Sequence, residues 1–134
     1  MESLIIDQNV IQKLIQKSIE VRKCSYSPYS KYKVGAALLA ESGKIYTGCN
    51  YENVSFGAGV CAERVALGNA ISSGEKKFVA ICVCGQTSQI TPCGICRQSL
   101  LEFGDIDVIC CDENGKAQYL TLHELMPHSF NSLI

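Results

Sequence analysis

Apolar residues recur along the chain with two different periods, and these periods predict its helices and strands. Between residues 8 and 23 the apolar positions follow helical spacing, so this segment is predicted to form an amphipathic helix. Helical patterns also occur at residues 61–73, 93–103 and 121–126. Short apolar runs bounded by turn-forming residues predict strands at residues 33–40, 44–49, 78–84, 106–111 and 118–120.

The order of these elements predicts the fold class. A hairpin comes first, joined at residues 41–43, and helices and strands alternate after it. The run at residues 78–84 is apolar throughout, which is typical of a strand covered on both faces. We therefore expect a three-layer α/β/α domain, in which a mixed five-stranded sheet carries helices on both faces. A chain of 134 residues is too short for two domains, so a single domain is predicted over residues 1–134.

The charge balance excludes one large class of function. The chain has 12 basic and 13 acidic residues, a net charge of −1, whereas a protein that binds a nucleic-acid polymer needs a basic face. Binding of a single nucleotide or base is compatible with this balance. No apolar run approaches the ~20 residues of a membrane span, and the N-terminal segment lacks the basic start and apolar stretch of a signal peptide. A cytoplasmic protein without a membrane partner is therefore predicted.

Nine cysteines stand out in the composition. Their number is odd, and without a secretion signal a disulfide framework is not expected. Most of them are predicted to be buried as small apolar side chains. Cys82 and Cys84 share one face of a predicted strand, whereas the adjacent Cys110 and Cys111 point to opposite faces of another.

Three other cysteines have the spacing of metal ligands. Cys93 and Cys96 lie one turn apart at the start of a predicted helix, and Cys61 lies at the start of a different one. Helix N-termini carry partial positive charge and stabilise thiolates, the form that binds zinc. Three protein ligands are the mark of a catalytic zinc site, because the fourth position stays open for water.

Two residues next to Cys61 fit the chemistry of such a site. Glu63 is close enough to reach the water at the open position, which makes it the candidate general acid and base. Three thiolates on one Zn²⁺ leave a net charge of −1, which weakens the pull of the ion on its water. Arg64 can offset this charge by donating N–H groups to the sulfur ligands.

Two other interpretations of the cysteines are open at this point. Cys93 and Cys96 form a C-x-x-C pair, which is also typical of thioredoxin-like redox proteins. A closed structural zinc site could instead combine this pair with Cys82 and Cys84. A protein with such a site would be an interaction module rather than an enzyme, and Glu63 would have no role in it.

Two segments together resemble a known family. Residues 61–63, Cys-Ala-Glu, and residues 92–98, Pro-Cys-Gly-Ile-Cys-Arg-Gln, closely resemble the motifs of the zinc-dependent cytidine deaminases. Further similar segments occur at residues 27–32, 34–39 and 48–53, so the resemblance covers residues 26–130. Cysteine as the first metal ligand, where related deaminases have histidine, resembles the short homotetrameric type.

The resemblance implies a reaction and an assembly. It implies zinc-dependent hydrolysis of cytidine and 2′-deoxycytidine to uridine and 2′-deoxyuridine, with release of ammonia, as a step of pyrimidine salvage. One Zn²⁺ per subunit is expected to activate the water, and Glu63 to carry one proton of the water to N3 of the pyrimidine and then a second proton to the departing amine. The subunits are expected to form a homotetramer with shared active sites.

The resemblance also assigns residues to the sugar. Asn50 and Glu52 match the Asn-x-Glu segment that binds the ribose, chiefly at its 3′-hydroxyl. An amide and a carboxylate suit the donors and acceptors of a sugar. Tyr32 matches the aromatic residue that packs against the substrate, a position where phenylalanine is frequent.

The remaining assignments concern the base. The resemblance gives the backbone N–H of Ala62 and the carbonyl of Thr91 to base recognition, and Phe130 to stacking on the base in a neighbouring subunit's site. Two features depart from the family pattern: Phe56 stands where tyrosine is usual, and the 57–60 segment is smaller than usual.

A neighbouring family of deaminases is the alternative within this interpretation. The blasticidin S deaminases share the Cys-Ala-Glu and Pro-Cys-Gly-x-Cys-Arg motifs. Residues 27–30, Ser-Pro-Tyr-Ser, and the segment from Asn50 to Asn53 favour the nucleoside enzyme.

Overall fold

The structure is a computed structural model that describes residues 6–131. The ends of the predicted domain, residues 1–5 and 132–134, lie outside the described residues. The helices are α1 (Gln8–Arg22), α2 (Ala62–Ser72), α3 (Gly94–Leu101) and α4 (Leu122–Leu125). The strands are β1 (Gly35–Ala40), β2 (Ile45–Cys49), β3 (Phe78–Cys84), β4 (Asp107–Cys111) and β5 (Ala117–Thr121).

The strands form one mixed sheet in the order β2-β1-β3-β4-β5. The pairing of β3 with β4 is parallel, and the other pairings are antiparallel. The parallel pair arises because α3 connects β3 to β4 as a crossover, and such connections carry helices across a sheet face. This arrangement confirms the predicted mixed five-stranded sheet.

Helices cover both faces of the sheet and divide the interior into two cores. On one face α1 contributes Ile11, Leu14 and Ile15, which pack against β1, β3 and β4. On the other face α2, α3 and α4 pack against the same strands. The three-layer prediction is therefore confirmed. No helix of the described part of the chain is long and apolar enough to cross a membrane.

Each of two helices approaches the sheet closely at a glycine. A Cβ atom at Gly35 would overlap the backbone carbonyl of Ser18 in α1. A Cβ atom at Gly48 would overlap the backbone nitrogen of Ala66 and lie 2.7 Å from Ala62 O, both in α2. Since any larger residue would displace the helix, Gly48 sets how near the start of α2 lies to the sheet.

Candidate active site

The three cysteines with ligand spacing lie together at the N-termini of two helices. Cys61 is the N-cap of α2, Cys93 is the N-cap of α3, and Cys96 lies in the first turn of α3. The Sγ atoms of Cys61 and Cys93 are 3.8 Å apart, and those of Cys93 and Cys96 are 3.5 Å apart. All three sulfur atoms lie within 4.8 Å of one another. The predicted ligand set is therefore brought together.

The cluster fits a zinc ion in geometry and charge. Tetrahedral Zn–S bonds of about 2.3 Å require sulfur atoms about 3.8 Å apart, close to the two separations given above. The hydrogen bond from Cys96, together with those from Arg64 and Cys93, lowers the pKa of Cys61 to about 5, against the cost of burial. Cys61 is therefore a thiolate at neutral pH, the form in which a cysteine binds zinc.

Arg64 stands beside the sulfur cluster, as predicted. Its Nη2 atom lies 4.0 Å from Cys61 Sγ. Hydrogen bonds to Cys96 and Cys61 raise the pKa of the Arg64 guanidinium, so the group stays positively charged. The cation lowers the electrostatic cost of collecting three thiolates in one place.

Glu63 is buried in the first turn of α2, two residues after a ligand cysteine. Its side chain is 4% exposed. Burial, with a smaller contribution from the charge of Cys61, raises the pKa of Glu63 to about 7. A carboxyl group with such a pKa can both take up and release a proton near neutral pH, as a general acid and base must.

Asn50 is held by the loop that precedes β1. Its Oδ1 accepts hydrogen bonds from Ser25 Oγ at 2.5 Å and from the backbone of Val34 at 2.9 Å. Its Nδ2 donates to the carbonyl of Tyr32 at 2.9 Å. The amide therefore has a fixed orientation, and one N–H of Nδ2 is left for a ligand.

Tyr32 carries a hydroxyl group at a position where phenylalanine is frequent in the family. This hydroxyl has a hydrogen-bond partner in the chain. It accepts a hydrogen bond from the backbone N–H of Gln86 at 3.2 Å. The side chain of Gln86 in turn accepts one from the backbone of Lys33 at 2.8 Å. These two bonds join the loop before β1 to the loop after β3 and fix the edge of the Tyr32 ring.

Two residues of α3 that sequence reasoning left without a role connect the predicted base-binding residues. Arg97 donates to Thr91 Oγ1 at 2.9 Å and to the carbonyls of Pro92 and Leu125 at 2.6 and 2.7 Å. Gln98 pairs with the backbone of Phe130, donating to its carbonyl at 2.8 Å and accepting from its N–H at 3.2 Å.

The predicted base contacts occupy different settings. Ala62 is fully buried as the first residue of α2, where a helix leaves its backbone N–H without an intrahelical acceptor. Thr91 is exposed in the loop before α3. Phe130 is 68% exposed although its backbone is fixed by Gln98.

In the sequence, only the C-x-x-C-R-Q motif pointed to Arg97 and Gln98, and the motif did not show which groups these two side chains contact.

A cavity of about 350 Å³ brings most of the predicted polar residues together. This metal-side cavity is lined by Cys61, Cys93 and Arg64 together with Asn50 and Glu52. Glu63, Cys96 and Tyr32 are not among its lining residues. A second cavity of about 390 Å³ shares Glu52 and is also lined by Tyr29 and Ser30. The metal cluster and the predicted sugar-binding residues therefore face one space.

The structural zinc site considered above is wrong. Cys82 and Cys84 belong to the core beneath α1, on the face of the sheet opposite α3. Cys93 and Cys96 lie at the start of α3 and have Cys61 as their third sulfur neighbour. The two pairs cannot share an ion because the sheet separates them.

Comparison with known families decides between the remaining interpretations. Residues 8–112 match the family described as the cytidine and deoxycytidylate deaminase zinc-binding region. The chain belongs to this family. The matched range includes all three cysteines of the cluster and Glu63, and membership of a zinc-binding family favours a metal site over a redox pair for the C-x-x-C segment.

Relatives of the chain are similar over nearly its full length. A cytidine deaminase of Sporosarcina psychrophila is 43% identical over 90% of this chain and 91% of its own. A probable cytidine deaminase of Dictyostelium discoideum is 40% identical over 94% of this chain and 87% of its own. A blasticidin-S deaminase of Bacillus cereus is 31% identical over 73% of this chain and 76% of its own.

Solved structures agree with this membership. The 1.6 Å crystal structure of a cytidine deaminase from Burkholderia pseudomallei has a TM-score of 0.85 and 38% identity, covering 93% of this chain and all of its own. The cytidine deaminase of Mycobacterium tuberculosis has a TM-score of 0.77 and 34% identity, covering 95% of this chain and 99% of its own. The deaminase fold is therefore that of the whole described chain.

Proposed function

We propose that this protein hydrolyses cytidine and 2′-deoxycytidine to uridine and 2′-deoxyuridine, releasing ammonia, as a step of pyrimidine salvage in the cytoplasm. The observation that carries the proposal is the buried Glu63 beside a cluster of three cysteine sulfur atoms, of which those of Cys61 and Cys93 belong to residues that line the same cavity as Asn50 and Glu52. None of the nine cysteines, all of which lie in the described part of the chain, forms a disulfide, which supports a reducing compartment. The proposed catalytic unit is the single domain of residues 1–134.

The charge of the site favours a nucleoside over a nucleotide. The family includes deaminases of both kinds by its description. Arg64 is the one cation among the described residues that line the metal-side cavity, and its charge faces Cys61 and Cys96. Glu52 lines both cavities, and hydrogen bonds, chiefly from Ser30, lower its pKa so that it is ionised. A phosphate group near this carboxylate would meet repulsion, since Arg64 is engaged with the sulfur atoms and the charge of Lys31 acts on Glu52 from outside both cavity linings.

Each residue of the site has a part in the proposed reaction. Zinc, when bound by the three cysteines, supplies a Lewis acid that activates water for attack on C4 of the base. Glu63 accepts the first proton of the attacking water and delivers it to N3 of the pyrimidine. It then takes the second proton from the oxygen now bonded to C4 and gives it to the amine, which leaves as ammonia while the C4 carbonyl forms. The backbone N–H of Ala62 and the carbonyl of Thr91 orient the base. Asn50 and Glu52 bind the sugar.

We propose further that the protein is a homotetramer with shared active sites. Exposed apolar side chains border the metal-side cavity, namely Tyr51, Phe56 and Ile95, at 46%, 81% and 64% exposure. The exposed ring of Phe130 on a fixed backbone is suited to stack on the base in a neighbouring subunit's site. Multi-angle light scattering is expected to give four times the mass of one 14.6 kDa chain. A mass equal to that of one chain would contradict the shared sites.

An absorbance assay tests the proposed reaction. The purified zinc-loaded protein is expected to convert cytidine and 2′-deoxycytidine, with ammonia measured as the second product. Cytidine monophosphate serves as the matched control, since it differs by the phosphate alone, and should be a poor substrate. Equal turnover of the nucleotide would contradict the charge argument. Turnover of blasticidin S without turnover of cytidine would assign the protein to the alternative deaminase class.

A further inference from the structure

Ser30 joins Glu52, which the proposed function places at the sugar, to Tyr32, which the family resemblance places against the substrate. Its hydroxyl donates a hydrogen bond to Glu52 Oε2 and accepts one from the backbone N–H of Tyr32 at 3.1 Å. The backbone N–H groups of Tyr29 and Ser30 donate to the other carboxylate oxygen, Oε1, at 3.0 and 3.1 Å. Both oxygens of Glu52 are therefore fixed by two adjacent residues of one turn.

The turn that carries Ser30 is strained. Lys31, between Ser30 and Tyr32, has a φ angle of 61°, and it is the one non-glycine residue with positive φ in the range 6–131. Such a backbone conformation costs free energy and persists only where surrounding contacts stabilise it. The N–H of Lys31 donates to the carbonyl of Ser27 at 3.0 Å and closes the turn. The turn places the Ser30 hydroxyl within reach of Glu52 and the Tyr32 N–H together.

The bonds from the turn leave Glu52 able to accept one more donor. An ionised carboxylate has about four lone-pair positions, and the turn occupies three of them. The remaining position belongs to Oε2, the oxygen that Ser30 holds. Glu52 lines the metal-side cavity and the second cavity as well, so this position is available to a ligand there.

We propose that Ser30 is a positioning residue that orients the Glu52 carboxylate for a hydrogen bond from a ribose hydroxyl. The inference rests on the proposed function, in which Glu52 binds the sugar. Ser30 acts through Glu52 and does not itself touch the substrate. Its removal should therefore weaken binding of substrates that carry sugar hydroxyls and leave the chemistry at the base unchanged.

The chain offers a matched control for this bond. Ser42 donates to Glu75 Oε2 at 2.6 Å and accepts from the backbone N–H of Lys44 at 3.4 Å. The pattern repeats that of Ser30, Glu52 and Tyr32, but Ser42 and Lys44 lie in the hairpin between β1 and β2, and Glu75 follows α2. The variant Ser42→Ala removes the same kind of bond from a place that plays no part in the proposed reaction.

Steady-state kinetics on two substrates tests the proposal. With cytidine, Ser30→Ala is expected to raise KM roughly tenfold, since a hydrogen bond to a charged group is lost, while kcat stays within about twofold. With 2′,3′-dideoxycytidine, which lacks the hydroxyls that Glu52 would accept from, wild type and Ser30→Ala should have the same KM. Ser42→Ala should match wild type on both substrates.

A second pair of variants separates the hydroxyl from the shape of the side chain. Ser30→Thr keeps the hydroxyl, and Ser30→Val has the same shape without it. The proposal expects the threonine variant to retain a KM for cytidine near that of wild type and the valine variant to show the increase. This comparison also holds if the alanine variant does not fold.

The outcomes that overturn the proposal are distinct from failure of the proposed function. An equal increase of KM on cytidine and dideoxycytidine would show that Ser30 only stabilises the loop. An unchanged KM for cytidine in both Ser30→Ala and Ser30→Val would show that Glu52 needs no such support. Absence of cytidine turnover by the wild-type protein would overturn the proposed function itself.

Discussion

The variant Glu63→Gln is expected to bind zinc and fold normally yet to lose nearly all deamination of cytidine. Glutamine keeps the size and polarity of glutamate but cannot take up the proton of water or return it to the substrate. Positioned general acids and bases contribute about 10²- to 10⁴-fold to a rate, so kcat should fall by roughly that factor. The measurement is kcat for cytidine together with zinc content by elemental analysis.

A matched substitution on the other side of the sheet provides the control for this experiment. Glu20 is an exposed carboxylate on α1, remote from the cysteine cluster. Glu20→Gln should leave kcat unchanged. If Glu63→Gln retained more than a few per cent of wild-type kcat with full zinc content, Glu63 would not be the group that moves the proton.

The variant Cys96→Ala is expected to lose both zinc and thermal stability. Its sulfur is buried and lies 3.5 Å from that of Cys93, so its loss leaves two ligands where three are needed. A ligand that binds only the folded state stabilises it by about 2.7 kcal/mol when its free concentration is about 100 times its dissociation constant. For a chain of this size that corresponds to roughly 10 °C in Tm.

Substitution of a buried cysteine on the opposite face of the sheet distinguishes the effect of losing zinc from the effect of losing packing. Cys82 is fully buried in the core beneath α1. Cys82→Ala should lower Tm through packing alone and keep one zinc per chain. A chelator should lower the Tm of wild type and of Cys82→Ala while leaving Cys96→Ala unchanged. Full zinc content in Cys96→Ala would remove Cys96 from the ligand set.

Most elements of the fold could be predicted because their patterns are local. The continuous apolar run of β3 gave its bounds without error, since both faces of this strand are covered. The predicted starts of α2 and α3 were one residue early. Cys61 and Cys93 are N-caps with extended backbone angles rather than first helical residues.

The start of β1 differs for another reason. The prediction began the strand at Lys33, but the observed strand begins at Gly35. The N–H of Lys33 donates to the side chain of Gln86, and that of Val34 donates to the side chain of Asn50. Side chains distant in sequence take the place of a neighbouring strand there, and no local pattern shows such partners.

The residues of the candidate site also fall into two groups, those that a local pattern predicts and those that depend on partners distant in sequence. The placement of Cys93 with Cys96, and of Cys61 with Glu63, was predictable because each pair lies within one helix start. That the two helix starts meet was expected from the family resemblance. The connections made by Arg97 and Gln98 were not predictable, because they reach backbone carbonyls up to 32 residues away. The bond from Ser30 to Glu52 likewise crosses 22 residues and depends on the unusual backbone of Lys31.

The division of the interior by the sheet has a practical consequence for redesign of this enzyme. The core beneath α1, including Leu14 and Ile109, contains none of the residues assigned to metal, base or sugar. Substitutions that improve its packing can raise thermal tolerance while the opposite side is altered for new nucleoside analogues. Since sites far apart without shared contacts usually contribute additively, the two sets of changes can be optimised separately and then combined.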